Sequence, residues 1–510
     1  MITAISRLKT HFSNWREWEL NPIVIKELRQ GVRSWTVTGM LLLFLVVLFL
    51  TSLGFLITQS FDVNANMGLG GSMFTSFVVI LAGASGFFIP LYTGIRLAAE
   101  RQENNPDLFY VSTLSPARII WGKFLCSSYI VVLFFSACMP FMAFTNLLRG
   151  IDLPTVFYIL LFLFLAVCAA NMIAIFLACI PASRPFKVLF AIAGFFLSFW
   201  VIIPMVMFSF EMLRSGVGGM MAERNFWIGT VTTVLIGAAV TGLLFVLSVA
   251  LISPLSANRA LPVRIYVTAF WFVGGINALF WVWRSGDAAL ILIWTYPTLI
   301  IMVMALLVVI SNSDQLSLRV RRTIPAGGIK RPFAFLFYNG AAGGLVWIAV
   351  ILAVTYFVTT TMIRWFPSRG ITLDDDTKTG LATMGAYAFA YALTALLLHR
   401  RLLKRRPPKL TGLLAVLLAG GWAIAPSIFL FFANQLSWKS VEGLQLGNVF
   451  NVYFNRDASQ LIYHEYFAFG WLLIVMGLNA KWFVQQLKNF HPPGKIEPIP
   501  AAAIPPVLPT

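Results

Sequence analysis

The chain has 510 residues, of which 59% are hydrophobic, 15% aromatic and only 11% charged. Soluble domains carry about 25% charged residues, so this composition excludes an ordinary water-soluble enzyme and points to membrane residence. A formal charge of +18 would suggest nucleic acid if it formed one patch, but here the basic residues are scattered between apolar runs, the pattern of membrane topology.

The N-terminal region is largely polar and does not read as a cleavable signal peptide. Asn21 is suited to capping and Pro22 to the first helical position, so a helix is predicted from there. Ile23, Val24, Ile25 and Leu28 offer it an apolar side, Lys26, Glu27 and Arg29 a charged one, and Trp15 and Trp18 lie upstream. Such a helix lies along the membrane surface.

Roughly 20 apolar residues are needed to cross the hydrocarbon of a bilayer as a helix. Twelve stretches meet this requirement, at about 35–58, 73–95, 120–147, 154–180, 188–210, 226–253, 265–283, 288–310, 340–363, 381–398, 412–434 and 467–486. The expected fold is an all-α, polytopic helical bundle with an N-terminal interfacial helix. Its expected parts are residues 1–34, a first six-span region 35–253, a second six-span region 254–490, and a proline-rich tail 491–510 read as disordered. With both termini inside, 28 of the 37 Lys and Arg residues face the cytoplasm. That asymmetry sets the expected orientation. Trp35, Trp121, Trp227 and Trp482 fall near span ends, where an amphipathic ring suits the headgroup layer.

Between the second and third spans, residues 96–118 form a cytoplasmic loop with two helix starts. Asn105-Pro106 opens a short helix with Asp107 against the positive end of its dipole, and Ser115-Pro116 opens the third span. Leu108, Phe109 and Tyr110 then form either a knob for a partner's cleft or an apolar patch folded back onto the bilayer.

The order Asn21-Pro22, Lys26-Glu27-Leu28-Arg29, two spans, Glu100-Arg101, Leu108, Leu114-Ser115-Pro116 and Gly122-Lys123 resembles permease subunits of the ABC-2 class of ATP-binding-cassette exporters, over residues 15–145. The resemblance implies that the first helix is the connecting helix on the membrane. It implies that Glu100, Arg101, Asn105, Pro106, Asp107, Leu108, Phe109 and Tyr110 supply the coupling contacts to a separate nucleotide-binding subunit. Gly122-Lys123 matches the small-then-basic pair that opens the third span. The chain departs from the family pattern in having no proline before Leu114 and about twelve spans in place of six.

The loop 311–339 would be the counterpart of 96–118 in a duplicated second half, and carries Asp314, Arg319, Arg321, Arg322, Lys330 and Arg331 without the Glu-to-Gly-Lys pattern. The duplication is only weakly supported, and an accessory bundle beside one permease half explains the extra spans equally well. The basic run from His399 to Lys409 reads as a topology anchor ahead of a lipid or ATPase contact.

No Gly-x-x-x-x-Gly-Lys-Ser/Thr run occurs, and Gly327-Gly328-Ile329-Lys330 lacks both the first glycine and the hydroxyl. ATP and Mg²⁺ are therefore expected on a partner, and no catalytic residue is assigned. The predicted span interiors hold no ionisable group, which weighs against an ion-coupled carrier; Asn171 and Asn277 read as interhelical hydrogen-bond partners. His11, His399 and His491 lie in basic or proline-rich sequence, and His464-Glu465 lacks the second histidine of a zinc helix. Asp374-Asp375-Asp376 reads as a solvated loop, and no metal is expected. The outer segment 435–466 reads as surface, with a small folded cap as the alternative. Cys126, Cys138, Cys168 and Cys179 sit in apolar runs and form no metal or disulfide framework.

The expectation is a permease subunit, an exporter, in a bacterial cytoplasmic membrane. Its expected partners are an ABC ATPase, a second permease chain or another copy, and membrane lipid, with no nucleic acid. Its substrate-binding residues stay unassigned. The competing reading is a neutral facilitator or an integral membrane enzyme acting on lipid-linked substrate.

Overall fold

A computed structural model describes residues 22–58, 69–103, 115–148, 151–254, 256–312, 316–325, 327–328, 330–367, 375–432, 445–454 and 458–492. All regular structure among them is helical, and eleven helices are long and apolar enough to cross a membrane. The protein is a polytopic helical membrane bundle. Two compact units divide the chain, Met1–Pro254 and Leu255–Thr510.

Unit 1 begins with α1 (Pro22–Val32) and the first span α2 (Trp35–Thr58). The second span, α3, joins Leu69–Gly83 and Ile89–Glu103 through a π-helical turn, Ala84–Phe88. There a Cβ on Gly86 would come within 2.8 Å of the Ile202 side chain. The widened turn lets the backbone of α3 sit against its neighbour. Then follow α4 (Pro116–Leu147), α5 (Leu153–Cys179), α6 (Arg184–Ser215) and α7 (Arg224–Ile252). Two starts follow capping chemistry. The side chain of Ser115 accepts from the Arg118 amide ahead of Pro116, and that of Asp152 accepts from the Thr155 amide ahead of Pro154.

The core of unit 1 is aromatic and aliphatic, with Phe44, Met73, Phe74, Phe77, Phe134, Met142, Ile159 and Leu163 fully or almost fully buried. Lipid is as apolar as these side chains, so association rests on close packing instead of hydrophobic transfer. Gly94 of α3 illustrates this, since a Cβ there would lie 3.4 Å from Ala174 of α5. Asn171 of α5 is fully buried, and neither its Oδ1 nor its Nδ2 has a hydrogen-bond partner. The expected interhelical bond is not formed by the described residues.

Unit 2 holds α8 (Ala260–Ser285), α9 (Leu292–Ile310), the short α10 (Lys330–Phe337), α11 (Ala341–Trp365), α12 (Asp375–Leu402), α13 (Leu410–Phe432) and α14 (Ala458–Asn489). The expected span that is not among the eleven is 412–434, which is α13, with the shorter described apolar stretch Leu410–Ala425. Polar ties link α8, α9 and α11. Trp271 Nε1 donates to Thr355 Oγ1 at 2.8 Å, Trp347 Nε1 to Thr268 Oγ1 at 2.9 Å, and Thr295 and Thr359 share a bond of 2.7 Å.

The absence of ionisable groups within spans needs correction. The helix α8 starts five residues earlier than the apolar run, which brings buried Arg264 into it. Its guanidinium donates to the carbonyls of Leu336 and Tyr338, each at 2.7 Å, and Gly340 at 3.1 Å, and lies over the Trp347 ring. It thereby satisfies carbonyls left open at the end of α10.

His464 is likewise not on a surface. It is fully buried on α14, with Nδ1 3.0 Å from the Tyr387 hydroxyl of α12 and Nε2 3.4 Å from the Asn451 amide nitrogen. Trp482, expected in the headgroup layer, is buried beneath the guanidinium of Arg400 at 4.9 Å.

Two predictions follow from this packing. A Cβ on Gly343 would fall 1.9 Å from the Phe335 carbonyl oxygen, whereas one on Gly380 meets nothing within 4 Å. Gly343→Ala should therefore lower stability by at least about 1–3 kcal/mol and Gly380→Ala should not, as read from thermal aggregation midpoints of the purified protein. The four native cysteines are buried, so single cysteines placed at Glu103, Lys404 and Ala502 report topology cleanly. All three should label only after permeabilisation. External labelling at 103 or 404 overturns the orientation, and at 502 alone shows that α13 does not cross.

Candidate functional site

The face of α1 that is buried differs from the one its composition suggests. Val24, Glu27 and Gly31 recur at helical spacing and are buried, while Ile25, Lys26 and Arg29 are exposed. This stripe lies against α4, with Gly31 facing the Ile130 side chain. Glu27 can be buried because its partner is Lys123, whose Nζ stands 2.6 Å from Glu27 Oε1. Both side chains are only 6% exposed.

Lys123 Nζ also donates to Glu100 Oε2. Glu100 and Arg96 are an i,i+4 pair on the last turns of α3, with Arg96 Nε 3.9 Å from Glu100 Oε1 and 3.7 Å from Glu27 Oε2. Arg96 further donates to the Tyr92 hydroxyl at 2.8 Å and to the side-chain carbonyl of Gln30. Two cations and two anions thus form a formally neutral cluster. The residual void among them is about 20 Å³, room for no more than about one water.

Three sequence-selected residues, Glu27, Glu100 and Lys123, are brought together here, although they lie on three different helices. Arg96, Tyr92 and Gln30 complete the group and were missed. The signal for Arg96 was its spacing of four from Glu100, which becomes informative only if the helix continues past residue 95. It does so to Glu103, so Glu100 and Arg101 belong to a helical extension of the second span and not to a loop. Glu100 spends its carboxylate inside the cluster. Ser115, Pro116 and Gly122 sit at the start of α4 as expected, Gly122 buried beside Lys123. Lys26 and Arg29 point away from the cluster, exposed. Pro22 opens α1, while Asn21, Asn105, Pro106, Asp107, Leu108, Phe109 and Tyr110 lie outside the described residues.

The geometry makes a clamp. The helix α1 is tied by one carboxylate to the end of α3 and the beginning of α4, the helices that flank residues 104–114. No protein-family model, no curated protein and no solved structure matches the chain. The function is therefore argued from the arrangement of its residues.

Removing one member of a buried ion pair leaves an uncompensated charge, which costs about 3–5 kcal/mol. Lys123→Met should destabilise the purified protein by that order. Glu27→Leu combined with Lys123→Met leaves Arg96 and Glu100 balanced, and should recover a large part of the loss. A double variant whose thermal midpoint equals the sum of the two single losses would show that the two charges are not coupled.

Proposed function

We propose that this multi-spanning membrane protein is the permease subunit of a transporter, an exporter, driven by ATP and Mg²⁺ bound on a separate nucleotide-binding subunit. The observation that carries the reading is the neutral cluster of Glu27, Arg96, Glu100 and Lys123. It joins the middle of α1 to the end of α3 and the beginning of α4, the two helices between which residues 104–114 lie in the chain. A displacement of that segment by a docked ATPase would be passed to α1, α3 and α4 together, because moving one helix alone would separate buried charges.

In this reading Arg101, Asn105, Pro106, Asp107, Leu108, Phe109 and Tyr110 contact the ATPase, with the aromatic pair as anchors. Glu100 acts from behind them as a positioning residue through Lys123. The chain has no nucleotide loop of its own and works with a second permease chain or another copy of itself. Its orientation would place both termini and residues 104–114 in the cytoplasm of a bacterial cell, by the distribution of basic residues.

Truncating anchor aromatics at an interface commonly costs over 1 kcal/mol and sometimes 2 or more. Phe109→Ala with Tyr110→Ala should weaken copurification of the ATPase by roughly tenfold, with membrane insertion unchanged. A double variant that retains its ATPase and stimulates hydrolysis normally would remove the coupling role.

A further inference from the structure

Unit 1 contains a cavity of about 1120 Å³ between α4, α5, α6 and α7, slightly above the roughly 300–1,000 Å³ usual for ligand sites. The helix α5 forms its floor and packs against both α6 and α7, which share at most a marginal contact with each other. The cavity is lined along α7 from Asn225 to Phe245, a run of about 30 Å at 1.5 Å per residue. That length equals the thickness of a bilayer's hydrocarbon core, about 30 Å.

The lining carries no carboxylate, lysine, arginine or histidine, and its hydroxyl hydrogens are already used within the protein. Ser128 donates to Phe124 O, Thr230 to Phe226 O, Thr233 to Gly229 O and Thr241 to Gly237 O. Since the Thr230 hydrogen is committed, the Tyr158 hydroxyl donates to Thr230 Oγ1 at 3.0 Å. These hydroxyls therefore offer an occupant methyl and methylene surface and no donor. Aromatic rings close both ends, Trp121 near Phe124 and Phe245 at one, and Tyr158 near Phe162, Phe208 and Phe226 at the other.

We propose that this cavity holds the extended hydrocarbon chain of a long-chain lipid, entering sideways from the bilayer. A sugar or peptide is a poor match: apart from the hydroxyl oxygens, the polar side chains of the lining are Asn225 and Trp121 at its ends, and most of the occupant's polar groups would be desolvated unpaired. The length excludes a compact drug-like molecule as the best fit. That this lipid is also the cargo rests on the permease reading; the site itself does not.

The glycines of α7 provide the test. A Cβ on Gly229 or Gly237 meets nothing within 4 Å, so a larger side chain at either enters the cavity without a backbone clash, and Gly39 on α2 is equally open but remote. The protein is reconstituted in phosphatidylcholine vesicles containing a trace of phosphatidylcholine with a diazirine in mid-chain, irradiated, and its adducts mapped by peptide mass spectrometry. No ATPase or nucleotide is present, so failure here is distinct from failure of the permease reading, which is judged by copurification.

Adducts are expected on the cavity lining of α4, α5 and α7. They should be several-fold denser than adducts on exposed residues of α2 such as Leu42 and Val46 at the same probe fraction. Gly237→Leu should lower cavity adducts by roughly tenfold, the loss expected when about two methylene groups are excluded from an apolar site, and Gly39→Leu should leave them unchanged. Adding a polyisoprenoid phosphate at fixed probe fraction separates the two sources: loss of the cavity adducts alone assigns the site to a lipid carrier, and their persistence assigns it to the bilayer lipid. Wild-type cavity adducts no denser than those on Leu42 and Val46, or equally dense with a headgroup diazirine, overturn the site, and these readings stand even if the leucine variant does not fold.

Discussion

A lysine seven residues into a membrane helix is the constraint on which the rest of unit 1 depends. Lys123 lies about 10 Å along α4 from its first residue, and a lone ammonium near hydrocarbon is costly. Its charge is met by Glu27 from α1 and Glu100 from α3, and the surplus negative charge so created is met by Arg96. Each partner requires the next. The helix α1 must press Glu27 inward, the second span must continue as helix to reach residue 100, and the third must begin at Ser115-Pro116 to bring Lys123 to the same level. A surface ion pair would contribute little; a buried, neutral group of four fixes the register of three helices because any slip strands a charge.

Unit 2 meets the same problem without carboxylates. Arg264 is surrounded by backbone, and its charge is compensated by the carbonyls of Leu336, Tyr338 and Gly340 and by the face of Trp347. Carbonyl dipoles at a helix end carry partial negative charge, so one guanidinium both caps α10 and holds it against α8 and α11. The closeness is visible at Gly344, where a Cβ would come 2.5 Å from Arg264 Nη2. Between α12 and α14 one tie is again a guanidinium, Arg400, which lies over Trp482 and donates to Asn479 Oδ1 at 3.0 Å, and the others are neutral. The Tyr387 hydroxyl meets His464 and accepts from the Gly447 amide at 3.1 Å, while Tyr391 donates to the Gly447 carbonyl. Gly447 has a φ of +95°, a conformation that glycine adopts at little cost.

What could be read from the sequence was set by length and by punctuation. Long apolar runs became helices because in lipid every backbone group must be satisfied within the segment, and Ser115-Pro116 marked a start because its physics is local. Errors arose where polar residues continue an apolar helix. Residues 96–103 look like loop by hydropathy, yet they are the last two turns of α3. Arg264 looked like flanking charge for the same reason, and His464 looked exposed because its partners, Tyr387 and Asn451, are 77 and 13 residues away. The protein-facing stripe of α1 was not visible in the sequence because Glu27 counts as polar there; its helical spacing from Val24 and Gly31 places it inward once a cation is waiting. Pairing across helices is the information a single sequence does not display.

The sparse packing of α7 follows from the solvent and not from a weakness of the fold. In water, a helix with a large gap beside it would lose hydrophobic stabilisation and collapse onto its neighbour. In a bilayer the apolar surfaces of α6 and α7 are no worse off against lipid than against protein. What an empty gap would forfeit is dispersion contact, since its lining would have no partner atoms on one side. Hydrocarbon from the bilayer restores those contacts without asking for hydrogen bonds, and the lining hydroxyls have already turned theirs inward. The same unit therefore separates two kinds of interior. A tight, charged junction at one end fixes three helices, and a long apolar space between four helices is closed by whatever chain occupies it. Force applied at the first would be felt by the second through α4, which carries Lys123 in the cluster and Trp121, Phe124 and Ser128 in the cavity wall.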